Sequence, residues 1–148
     1  PKIVEDDKIE QPIDKYTPLY EHSKNIKIIQ DAMFGSTNEV MGTSYRSRID
    51  DPKYQFAGKT GTAQVKKITE LDRELDLKTF EIPYEERDHA LYIAFGPYKQ
   101  PRYALSILIE HGGNGSTTAA PMAKELFKLV IDRHTYRQSI NEKKYLEI

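Results

Sequence analysis

Two β-rich runs, HALYIAF at 89–95 and YALSILI at 103–109, are joined by the seven residues GPYKQPR. Aromatic, aliphatic and β-branched residues at that density favour strands, and the Gly- and Pro-containing connection predicts an antiparallel hairpin whose loop is longer than a two-residue turn. Both runs read as central or half-buried strands, so the rest of the chain has to cover them.

The flanking segments supply the cover. Over 118–133, Met122, Leu126, Leu129 and Val130 recur at helical spacing and Pro121 suits a first turn, which predicts an amphipathic helix. A second helix of about three turns is predicted from Ser23, with Ile26, Ile29 and Met33 on one face, Ile28 and Ala32 beside it, Ser23 as N-cap and Gly35 at its end. Residues 36–52 read as a helical turn and a loop, 54–65 as a strand, and the charge-rich 66–87 as a solvated excursion with room for a short helix. The first eighteen residues, with Pro1, Pro12 and Pro18, predict a short strand near Ile3 and Val4 and then loop. The order helix, strand, hairpin, helix implies an α+β fold, an antiparallel sheet faced by helices. Residues 1–133 form the domain and 134–148 a polar tail.

Composition removes several function classes. A formal net charge of −1, with no Lys/Arg block clear of acids, argues against nucleic acid as a partner. The absence of cysteine excludes disulfides and thiolate metal ligands, and His22, His89, His111 and His134 are too dispersed to read as a metal site; no metal or cofactor is expected. No apolar run approaches the roughly 18 residues of a membrane span, and the N-terminus has neither a signal-peptide pattern nor a methionine. The expectation is a piece of a longer protein.

The chemistry lies in Phe56-Ala57-Gly58-Lys59-Thr60-Gly61-Thr62-Ala63-Gln64-Val65. Acyl transfer from a peptide-like donor needs a nucleophile, a base, oxyanion donors and a hold on the donor's carboxylate. On a strand, Thr60 and Thr62 share a face, so both hydroxyls can reach one anion; Gly61 leaves room for a substrate along the edge, and the amide of Thr62 can face an oxyanion. Lys59 starts on the opposite face, and its long stem has to bring the charge round.

This Lys-Thr-Gly motif resembles one of the three that mark serine β-lactamases and penicillin-binding proteins. Together with Arg87-Asp88-His89-Ala90-Leu91-Tyr92-Ile93-Ala94-Phe95 and Glu110-His111-Gly112-Gly113-Asn114-Gly115-Ser116 before Ala119-Ala120-Pro121, it is similar to the C-terminal part of an elongation-type class B penicillin-binding protein, the penicillin-binding protein 2 group, over about residues 23–133. The resemblance implies a partial β-lactamase/transpeptidase-like fold and a peptidoglycan D,D-transpeptidase, anchored in the cytoplasmic membrane with its catalytic domain in the periplasm. It implies stem peptides as substrates, β-lactams as covalent inhibitors, and cell-elongation membrane proteins as partners. By the same resemblance Lys59, Thr60, Gly61 and Thr62 bind the substrate carboxylate, and the Thr62 amide forms half of the oxyanion hole.

The departures are as informative. No lysine has serine or threonine three residues before it, so the S-x-x-K that would supply the nucleophile is absent from these residues. Ser23-Lys24-Asn25 spells S-x-N but reads as a helix start, too close to the Lys-Thr-Gly strand for the family's spacing. The expectation is a part that cannot acylate alone, with apolar surface where the nucleophile-bearing helix would dock and a tendency to self-associate through it. A non-catalytic interaction module of the same fold is the alternative. A phosphate loop ending in Gly58-Lys59-Thr60 fails because Lys53 stands where the pattern needs glycine. Gly112-Gly113-Asn114-Gly115 reads as a strand-to-helix turn with positive-φ glycines, the other reading being an anion cradle.

Overall fold

A computed structural model describes residues 22–67 and 77–146, and the hairpin is its centre. The strand expected near Ile3 and Val4 lies outside the described residues. Strand β2, His89–Gly96, pairs antiparallel with β3, Tyr103–Ile109, placing Tyr92 opposite Ile107 and Ala94 opposite Leu105. On the other side of β2 runs β1, Ala57–Ala63, also antiparallel, with Gly58 opposite Ala94, Thr60 opposite Tyr92 and Thr62 opposite Ala90. The sheet order is β1-β2-β3, so among the described residues only β2 has a strand on both sides. β1 is shorter than the predicted 54–65 because Asp51 organises a turn first: its carbonyl accepts from the Tyr54 amide at 3.0 Å and its carboxylate from the Lys53 amide at 2.9 Å.

The two-residue period assigns the faces. Ala90, Tyr92 and Ala94 are buried on one side of β2, flanked on β3 by half-buried Tyr103, Leu105, Ile107 and Ile109. Helix α2, Ala120–Leu146, covers that side and continues unbroken past residue 133 into the polar tail. Its buried residues include Ala120, Ala123, Phe127 and Ile131. Phe127 stacks on Phe56 with centroids 4.9 Å apart, and Phe56 meets Tyr92 edge to face at 6.5 Å. Burying one such ring stabilises the fold by about 2 kcal/mol.

This corrects the expected face of α2. Met122, Leu126 and Leu129 are exposed, Leu129 at 62%. Alanines at 119, 120 and 123 let the helix backbone approach the sheet, and close approach decides the face over side-chain hydrophobicity. Ile93 and Leu108 are likewise exposed on the sheet face away from α2. The apolar surface expected from the sequence is therefore present on both elements.

Helix α1, Ser23–Asn38, also departs from its reading. His22, not Ser23, occupies the N-cap position and makes no side-chain cap, and the helix runs one turn past Gly35. Ile28 and Ile29 are exposed. The contact with the sheet is polar and comes from the last turn: Asn38 Nδ2 donates to the Phe56 carbonyl at 2.9 Å, and Thr37 Oγ1 reaches the Gly58 carbonyl at 3.5 Å. One-turn 3-10 helices lie at Tyr45–Ser47 and Tyr84–Glu86, matching the helical turn and the short helix expected in those segments.

Candidate active site

The carbonyls of Phe56, Gly58 and Thr60 accept from Asn38, Thr37 and Lys59, none of which belongs to β2. In an extended chain the N–H and C=O of one residue point the same way and alternate along the strand. The amides of Thr60 and Thr62 therefore face the open edge of β1, while Lys59, Gly61 and Ala63 turn their backbone to β2.

Lys59 begins on the far face, paired with Ile93, but its stem curls over the edge. Its Nζ donates to the Thr60 carbonyl at 2.8 Å and lies 3.4 Å from Thr60 Oγ1. Thr60 and Thr62 share the other face, as their pairing with Tyr92 and Ala90 requires. An ammonium, a threonine hydroxyl and an outward amide thus line one short stretch of edge. That arrangement can hold a carboxylate and, at Thr62, present an N–H to a neighbouring oxygen.

The stretch is held from behind by Tyr92, Thr37 and Ser44, which the sequence reading did not single out. The Tyr92 hydroxyl, buried beneath Gly58, bonds Thr37 Oγ1 at 2.9 Å and Ser44 Oγ at 3.1 Å. Burial raises the Tyr92 phenol above its usual range, and the two hydroxyls oppose that only in part. Beyond β3 the chain turns through His111 at φ 55° and Gly113 at φ 78°, and the Gly113 amide donates to the Asp88 carbonyl at 2.7 Å. The predicted strand-to-helix turn is there, but only one of its glycines has positive φ. Gly115 is required for space: a Cβ there would lie 2.6 Å from the Gly61 carbonyl oxygen, so the π-helical turn Gly115–Ala119 sits directly on the β1 backbone. Asn114 starts that turn, its side chain accepting from the Ser116 amide at 2.8 Å. His89 accepts at Nδ1 from the His111 amide at 2.9 Å.

The other candidates do not converge on this edge. Ser23-Lys24-Asn25 occupies the first turn of α1, about 20 Å of helix from the last turn that touches β1. A cleft of about 330 Å³ lined by Lys53, Lys99, Arg102, Ile131 and His134 lies at the Gly96 end of the sheet, away from Thr62. Among the described residues no group of three or more His, Cys, Asp or Glu side chains is placed to hold a metal, and no helix is long and apolar enough to cross a membrane.

Comparison with known proteins identifies the family and the fold. Residues 1–128 match the family model described as the penicillin binding protein transpeptidase domain. The peptidoglycan D,D-transpeptidase MrdA of Salmonella typhimurium is 36% identical over 105 residues, 71% of this chain and 16% of the relative. Its namesake from Haemophilus influenzae is 32% identical over 119 residues, 77% of this chain and 18% of that one. Among solved structures, the penicillin-binding protein PBP2 of Helicobacter pylori, in complex with MreC, superposes with a TM-score of 0.59 at 31% identity, covering 81% of this chain and 20% of its own. PBP2 of Pseudomonas aeruginosa in complex with WCK 5153 gives 0.57 at 27% identity, covering 76% and 21%. The chain therefore spans less than a fifth of the length of these curated relatives, and its α+β fold is that of the matched transpeptidase structures.

Proposed function

Because the chain belongs to the penicillin-binding protein transpeptidase domain family, we propose that it supplies the carboxylate-holding and oxyanion-binding wall of a serine-type peptidoglycan D,D-transpeptidase. The observation that carries this reading is the convergence of Lys59 Nζ, Thr60 Oγ1 and the outward Thr62 amide on one open strand edge. Lys59, Thr60 and the Thr62 hydroxyl hold the terminal carboxylate of a D-Ala-D-Ala stem peptide, or the equivalent group of a β-lactam. Gly61 keeps the edge low enough for that ligand to lie along it.

The nucleophile is a serine outside these residues, since no S-x-x-K occurs among them. Its hydroxyl attacks the penultimate D-Ala carbonyl, the Thr62 amide and the serine's own amide stabilise the oxyanion, and D-Ala leaves. An amine of a neighbouring stem peptide then attacks the acyl-enzyme and frees the serine. In a β-lactam the lactam carbonyl takes the place of the peptide carbonyl and the ring-opened acyl group stays attached.

The longer protein would be held in the cytoplasmic membrane with this domain in the periplasm. A cell-elongation membrane protein as partner is supported by the H. pylori neighbour, itself a complex with MreC. Labelling with a fluorescent penicillin tests the reading. The expected result is a covalent adduct on the longer protein, at a serine outside these 148 residues, and none on the 148 residues alone. An adduct on the 148-residue chain would refute the missing-nucleophile reading.

A further inference from the structure

The open edge of β1 is continued into the protein by hydroxyl groups. Thr60 Oγ1 lies 3.3 Å from Thr43 Oγ1, and Thr43 Oγ1 lies 3.1 Å from Ser36 Oγ. Resting on the wall reading above, we infer that Thr43 is a positioning residue for the carboxylate site: it fixes the direction in which the Thr60 hydroxyl donates.

A threonine hydroxyl has one proton and two lone pairs. With Thr43 as the donor of its 3.3 Å contact, the lone pairs of Thr60 Oγ1 are taken by Thr43 and by the Lys59 ammonium at 3.4 Å, which leaves the proton for a group on the open edge. With an anion there, all three hydroxyls run in one sense. Ser36 donates to Thr43, Thr43 to Thr60, and Thr60 to the carboxylate, each bond polarising the next. A neutral group at the same place induces much less of that polarisation, so the chain discriminates in favour of an anion.

Thr43 is placed before any ligand arrives. The Ser44 amide and Ser44 Oγ both donate to the Ser36 carbonyl, at 3.0 and 3.1 Å, and the Tyr45 amide donates to the Gly42 carbonyl at 3.1 Å. Gly42 has no room for a Cβ, which would lie 2.5 Å from the Gly35 carbonyl oxygen. The turn carrying Thr43 is thereby clamped to the last turn of α1, which itself bonds β1. Exposed Thr43 contributes little to the core, so its hydroxyl can be removed without emptying a buried site.

The test compares, in the full-length enzyme, second-order acylation rate constants for a penicillin and for its methyl ester. The ratio of the two is read within each variant, so any change in folded fraction cancels. Thr43→Val is expected to lower the ratio about three- to tenfold, the scale of one ordinary hydrogen bond between neutral groups, and Thr43→Ser to restore it to within about twofold. Thr43→Ala takes the place of valine if the larger side chain prevents folding. Thr60→Val is the control and should lower the ratio further. An unchanged ratio in the Thr43 variants beside a lowered ratio in Thr60→Val would overturn the role of Thr43 alone, as would failure of serine to restore it. An unchanged ratio in Thr60→Val would overturn the wall reading, and this inference with it.

Discussion

The phenol of Tyr92 occupies the space that a side chain at Gly58 would fill, so the residue before Lys59 can have no Cβ without displacing the centre of the core. Gly58→Ala is expected to destabilise the protein by about 1–3 kcal/mol, because neither the strand nor a buried ring can move far in a close-packed interior. Thermal unfolding of the full-length protein measures it; an unchanged melting temperature would show that Tyr92 can be displaced freely.

Tyr92→Phe removes a hydroxyl that two buried side chains share, at a cost near neutral pH of about 1 kcal/mol. The pH dependence has a definite sign. Burial raises the phenol's pKa in the folded state above the usual value of 10.0, so its contribution is complete below that value and is lost as pH rises through the folded one. The stability gap between wild type and Tyr92→Phe should therefore narrow above about pH 10. A gap that stays constant into strong alkali would contradict the burial account.

Gly115→Ala drives a Cβ into the backbone of Gly61 and Leu91. Since those atoms form the back of the candidate site, penicillin acylation by the full-length enzyme should fall at least tenfold, more than the accompanying loss of stability explains. Acylation kinetics at a temperature well below unfolding separate the two effects.

At the other end of the sheet, Tyr54 Oη donates to Asp132 Oδ1 at 2.6 Å and Lys53 Nζ does so at 2.9 Å. The tyrosine hydroxyl, and after it the lysine, lowers the Asp132 carboxyl below its usual range. A lowered carboxylate pKa means a contribution present above about pH 4 and lost as pH falls through the folded value. The charged pair Lys53–Asp132 is at the surface, so Asp132→Asn should move the melting temperature by no more than about 2 °C at neutral pH, and less still near pH 3.

The exposed stripe on α2 predicts self-association of the 148-residue chain, through Met122, Leu126 and Leu129. Sedimentation should show oligomers that the double substitution Leu126→Lys, Leu129→Lys disperses. A monomeric wild-type chain at concentrations of tens of micromolar would rule that out.

How far the chain could be read depended on which force placed each residue. The hairpin was legible because aromatic, aliphatic and β-branched residues are dense on both sides of a Gly- and Pro-containing connection, and Tyr103–Ile109 matches its predicted bounds residue for residue. The face of α2 was not, because weighting by hydrophobicity selects Met122, Leu126 and Leu129 while packing selects the alanines that allow close contact. At the site, strand alternation put Thr60 and Thr62 together and left Lys59 to its flexible stem, which is where Lys59 is found. Thr43 was invisible for another reason: its contact with Thr60 spans 17 residues and exists only once a turn is folded against α1. The signal available was local, hydroxyl pairs at Ser36-Thr37 and Thr43-Ser44 on either side of the Asn38-to-Gly42 bend.

The last turn of α1 also sets a length. Side chains of Asn38 and Thr37 have already reached the carbonyls of Phe56 and Gly58, so the first half of β1 offers no template to an incoming extended chain. Only Thr60 to Ala63 remain, a landing of about 13 Å. A guest peptide can add as a strand over little more than one dipeptide, long enough to be placed in register and too short to be held by backbone pairing alone. On the proposed reading recognition would then come from the guest's terminus, and the same short edge gives other chains little on which to aggregate.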